Sequence, residues 1–229
     1  MSTRYGIQFS EVDSSIAAAV SKFGGQPSWL EKPQWPLSRE SKQPMRFICQ
    51  IQVPDTVVAT SAGRLAYVFM TGGDEYVDGT WEPEGGENSV VIQPGGGVPL
   101  VDVVSAAEGP TLYRMIQEPG AARLTPQRCE FAVTLTKAND PDFVAEETRY
   151  ASFSEAQTHD YFAALEGNKI GGTPMFIQSD EFPAGGPWVL LLQLDSTTVP
   201  FYINFGDAGI GYVFVSHDGS QGRLLWQCA

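Results

Sequence analysis

The chain has 229 residues, 42% of them hydrophobic, and a formal net charge of −13 from 27 acidic and 14 basic side chains. That length hides roughly 70% of the unfolded surface, so folding needs no disulfide or metal staple, and the charge argues against nucleic acid or an anionic membrane as partner. Cys49, Cys129 and Cys228 form no CxxC pair and His159 and His217 are the only histidines, which excludes a zinc site and a histidine-rich metal centre and leaves only an oxygen-ligand site open.

Taken in order, the N-terminus shows no basic-then-apolar leader, and no apolar run is long enough to span a bilayer. The expected location is the cytoplasm. Ser10 is placed to cap a helix whose apolar positions Val12, Ile16, Val20 and Phe23 recur at helical spacing up to Gly24. Short β-branched and aromatic runs predict strands over 47–53, 65–70, 189–194, 201–205 and 211–216. Residues 129–137 alternate, with Phe131, Val133 and Leu135 opposite Glu130, Thr134 and Thr136, which is the period of a half-buried strand. Ser154 and Gln157 make a capping box for a helix with Phe162 and Leu165 inward, stopped by Gly167.

Two stretches echo each other at a near-constant offset. Lys22-Phe23-Gly24-Gly25-Gln26-Pro27 is answered by Lys169-Ile170-Gly171-Gly172-Thr173-Pro174, the strand around Gln50 by that around Gln193, and Tyr67-Val68-Phe69 by Tyr212-Val213-Phe214. The expected fold is α+β, predominantly antiparallel β, in one domain of two pseudo-repeats (about 10–70 and 154–216), each with helix, GGxP turn and strands. An acidic, loop-rich insertion occupies about 71–150. Features carried twice are expected to be scaffold. The GGxP glycines open no helix and precede no GK[ST], so they make no phosphate cradle, and a carboxamide buried in each half is expected to bond nearby backbone.

The sharpest feature of one half alone follows the first Tyr-Val-Phe. Asp74, Glu75, Asp78, Glu82, Glu84 and Glu87 cluster there without a cation, around Tyr76 and Trp81. Aromatic anchors among like charges are a binding arrangement, and these eight residues are the candidate partner-binding site. A calcium loop fits poorly, because Tyr76 replaces a ligand and Gly85 stands where a glutamate should. Asp140, Asp142, Glu146 and Glu147 extend the acidic character, and Glu155 suits the start of the second helix.

Catalysis finds weaker support. His159-Asp160 point apart on a helix, His217-Asp218 lies in a turn, and no GxSxG or HExxH occurs. Asp207, between glycines, is the alternative candidate, for a small-molecule or hydrolase-type site, although aspartate there commonly bonds its own turn. The expectation is a binding protein without catalytic residues, metal or cofactor.

The segments 23–36, 45–53, 168–178, 188–195 and 205–215 resemble the YwqG-like family of bacterial proteins, a domain of unknown function. Gly171-Gly172-Thr173-Pro174, the Leu-Leu-Gln-Leu-Asp run ending at Asp195 and Gly206-Asp207-Ala208-Gly209 carry the resemblance, which leaves the acidic middle unmatched. The family as a class has no agreed catalytic residues to carry across. The resemblance implies that some members are immunity proteins encoded beside polymorphic or type VI secreted toxins. The expected partner is therefore a cationic toxin, for example a nuclease domain, met by the acidic surface in place of nucleic acid.

Overall fold

A computed structural model describes residues 1–59, 63–72, 79–120 and 123–229. Among these, the strands are β1 (Ser2–Glu11), β2 (Lys22–Gly24), β3 (Trp35–Pro36), β4 (Arg46–Gln52), β5 (Leu65–Met70), β6 (Asn88–Gln93), β7 (Val103–Val104), β8 (Tyr113–Ile116), β9 (Thr125–Arg128) and β10 (Glu130–Asp140). Helices α1 (Glu146–Ser152) and α2 (Glu155–Leu165) follow, then β11 (Lys169–Gly171), β12 (Trp188–Asp195), β13 (Ile210–Ser216) and β14 (Gly222–Gln227). The fold is α+β and predominantly antiparallel β.

The described strands build a sheet in the order β14-β13-β12-β11-β1-β10-β2-β4-β5-β6. β1 and β10 pair along their length at its centre, from Ser2↔Asp140 to Glu11↔Phe131. Each also holds the first strand of one flank, β1 pairing with β11 and β10 with β2. The two ends of the sheet meet: Gly97 N donates to Ser220 O, and Gly222 lies so close to Val90 that an added Cβ would stand 2.3 Å from its side chain. Twist has rolled the sheet until its edges touch.

The rolled sheet buries both faces of its flanking strands, which explains their near-continuous apolar runs. In β5, Ala66, Val68 and Met70 enter the shared inner core while Leu65, Tyr67 and Phe69 form an outer core with Trp35, Met45 and Phe47. In β13, Val213 and Val215 point inward while Tyr212 and Phe214 join Phe176, Leu190 and Leu225 outside.

Two predicted elements are corrected. No helix occupies 12–23. Ser10 lies in β1, Phe23 in β2, and the loop between them bonds mainly to buried side chains, with Val20 N to Ala18 O as a bond of its own. Ile16 N donates to Glu130 Oε1, Ile16 O accepts from Lys22 Nζ, and the carbonyls of Ala18 and Val20 accept from Gln50 Nε2. Residues 201–205 are not a strand either: Phe201, Ile203 and Phe205 are buried, but only a bridge from Tyr202 to Tyr113 is made. The Ser154–Gln157 capping box is present, and α2 buries Tyr161 and Leu165, with Phe162 half-buried.

Candidate functional site

The two flanks share one wiring scheme around their first strands. Lys22 Nζ lies 2.7 Å from Glu130 Oε1, and Lys169 Nζ lies 2.7 Å from Asp140 Oδ2, all four side chains nearly or fully buried. Lys169 also donates to the carbonyls of Leu165 and Thr173. Burial lowers its ammonium to about 8, against the opposing pull of Asp140. The second glycine of each GGxP turn backs onto the same carboxylate. A Cβ on Gly25 would stand 2.2 Å from Glu130 Cδ and one on Gly172 2.3 Å from Asp140 Oδ2, and both have positive φ.

Gln50 accepts from Ser28 N as Gln193 accepts from Met175 N, and Gln193 Nε2 donates to Leu165 O and Gly167 O. Tyr67 OH donates to Ser28 O, and Tyr212 OH donates to Met175 O. Burial pushes the Tyr67 phenol up to about 12 and that of Tyr212 upward as well. These polar groups are wholly engaged in scaffold. The Cys49 and Cys129 thiols are pushed up by burial, Cys129 to about 12, away from the range of a nucleophile.

Of the eight residues singled out as partner-binding, Asp74, Glu75, Tyr76 and Asp78 lie outside the described residues. Glu87 is corrected to a structural role. It is 3% exposed, and its carboxylate accepts from Glu40 N and Thr71 Oγ1, tying three segments together. Trp81, Glu82 and Glu84 do face outward, Trp81 at 38% exposure. Their loop is pinned from both sides: Asn88 Nδ2 donates to Thr80 O and Glu82 O, and the Arg39 guanidinium donates to Glu84 O and Gly85 O. The cavity beside it, bordered by Pro83, Asn88 and Arg223, holds about 20 Å³, room for one water. Among the described residues, this loop offers a surface for contact and no enclosed ligand site.

Asp207 is exposed on a turn whose Gly206 and Ala208 have positive φ, and its carbonyl accepts from Ala229 N. His217 sits on the β13–β14 turn, where hydrogen bonds from Ser216 and Ser220 lower the Asp218 carboxyl to about 2. Neither arrangement gathers a nucleophile, a base and an oxyanion donor. Among the described residues, no group of three or more His, Cys, Asp or Glu side chains is placed to hold a metal, and no helix is long and apolar enough to cross a membrane.

A groove of about 770 Å³, marked by no sequence motif, lies between the two helices and residues 175–178. Tyr150, Phe153, Phe162 and Phe176 line it with Glu146, Glu155, Glu166 and His159. The aromatic residues were visible in the sequence, but α1 and its distance from 175–178 were not. Tyr150 is 83% exposed, an unusual state for so large an apolar ring.

No curated protein matches the chain. Residues 21–223 match the family model described as "Domain of unknown function (DUF1963)", and the chain belongs to that family.

Proposed function

We propose that this protein acts by binding a cationic protein rather than by catalysis, as an immunity-type inhibitor of a basic toxin. The observation that carries the reading is the uneven use of charge. Among the described residues the buried charges cancel, Lys22, Arg149 and Lys169 against Glu87, Glu130 and Asp140, and further cations are occupied nearer the surface, Arg39 and Arg64 on backbone carbonyls and Arg46 over the Tyr113 ring. Exposed Glu82, Glu147, Glu155, Asp160 and Glu166 make no ion pair with a described cation. The surplus of −13 therefore lies largely at the surface, where it attracts cations at long range and speeds encounter. We also infer that the two flanks are copies of one duplicated unit, since matching residues make matching bonds in each.

The test is affinity capture from host lysate at low and at high salt, with the partner confirmed to be expressed. One basic protein retained in near-equal amount at low salt, and shed or weakened at high salt, is the expected result. An empty column overturns the reading.

A further inference from the structure

We propose that the groove between the helices and residues 175–178 anchors the cationic partner by an extended basic segment, with an apolar side chain seated among the groove's aromatic rings. The assignment rests on the reading of the partner as a cationic protein and adds where it is held.

Three observations converge. The first is the composition of the site. Its floor is aromatic, with Phe162 half-buried and Phe176 buried, while Tyr150 stands in water beside it. A volume of about 770 Å³ accommodates several side chains of a peptide. Exposed aromatic surface ringed by polar groups is the usual form of an interface anchor.

The second is charge. Glu146, Glu155 and Glu166 border the groove. The one arginine there, Arg149, is 2.9 Å from Asp180 Oδ1 and donates to Val144 O, so its charge is already answered. The rim is left anionic, which selects lysine or arginine on either side of an apolar anchor.

The third is the other flank, where the matching face is already covered by an extended stretch of the chain itself. Trp29 stacks on Phe69 and donates its indole N–H to Ala107 O. Val101 and Ala106 pack on the same outer core, and β7 pairs with β3 at Trp35↔Val104. In the second flank Phe176, Phe182 and Phe214 repeat the aromatic group of Trp29, Trp35 and Phe69, with centroids 5.2–6.4 Å apart in both. There, no described strand pairs with Phe182, and Phe176 borders the open groove. This outer face takes extended polypeptide, and in the second flank the chain supplies only Phe143, edge-on to Phe176 and Phe182, and leaves the groove beside Phe176 open.

The probe is a labelled peptide in which lysine alternates with leucine around one tryptophan. Its control keeps the lysines and replaces the apolar residues by serine. Binding is followed by fluorescence anisotropy at about 0.15 M salt, where long-range attraction is screened, and mapped by amide chemical shifts. The apolar peptide is expected to bind and to shift residues 150, 162 and 177. Glu155→Lys with Glu166→Lys should weaken it about tenfold and Tyr150→Ser about threefold, whereas Glu108→Lys, exposed and outside the groove lining, should change it less than twofold. These exposed positions can be changed without disturbing the core, and circular dichroism checks that they have been. If the serine control binds as well, or Glu108→Lys weakens binding as much as the rim pair, surface charge alone holds the peptide and the groove assignment falls. If the apolar peptide does not bind, the assignment also falls, while the cationic-partner reading stands or falls on the capture experiment.

Discussion

Trp35 and Phe182 each stand one residue before a buried proline, in matching aromatic groups of the two flanks, yet Trp35 is fully buried and Phe182 is 42% exposed. The first flank is closed by its own chain, with β7 beside β3 and the Trp35 indole donating to Met45 O. The second is faced by two helices that stand off and leave the groove. Beneath these different covers the same lysine, glutamine and tyrosine bonds recur. One scaffold thus supports two outer surfaces, one completed internally and one capped in part by Phe143 and left with an open groove.

The strongest way to break this comparison is to remove the paired aromatics. Trp35→Ala should lose about 3–5 kcal/mol of unfolding free energy by urea titration, and Phe182→Ala only about 1 kcal/mol, since an exposed ring leaves little cavity. Equal losses would mean the second flank is as closed as the first. Next come the buried ammonium groups. Lys22→Met should lose about 3 kcal/mol or more, because no second described cation pairs with Glu130. Lys169→Met should lose less, because Arg4 remains 3.1 Å from Asp140.

Gln50→Ala and Gln193→Ala should each lose about 1–3 kcal/mol, for the backbone groups left unbonded, and by similar amounts if the flanks are wired alike. A smaller effect follows from the Lys169 ammonium, lowered from 10.5 to about 8. With the folded pKa below the unfolded one, the unfolded chain holds more protons between those values. The destabilisation is thus fully present below pH 8 and is relieved as pH rises toward 10.5. Relative to Lys169→Met, the unaltered protein should gain stability between about pH 7.5 and about pH 9.5, by at most about 1.4 kcal/mol per pH unit. Last, Glu82→Ser with Glu84→Ser should slow capture of the basic partner by about two- to threefold at low salt, and less at high salt. Stopped-flow association measures it.

How much was legible in the sequence varies with how local the cause is. The capping box of α2 needs only Ser154 and Gln157, three residues apart, and was readable directly. The Tyr-Val-Phe strands carried their own pattern. The loop at 12–21 did not, because its helical spacing of apolar residues was overruled by Lys22, Gln50 and Glu130, which reach its backbone from three strands. At the site, the acids of 82 and 84 were found from composition, but the burial of Glu87 depended on Thr71 and Glu40, distant in sequence.

By itself the sequence determined the antiparallel class, the recurring lysine, glycine and glutamine positions, the second helix and the acidic balance, because each follows from local pattern or from summed composition. The tertiary structure alone decided that β1 and β10 lie at the centre, that the sheet rolls until its ends meet, and that one outer face is covered while the other opens into a groove. Those outcomes come from pairings between residues far apart in the chain, Ser2 with Asp140, Gly97 with Ser220 and Trp35 with Val104, where the sequence pattern is the same for a covered face and an open one.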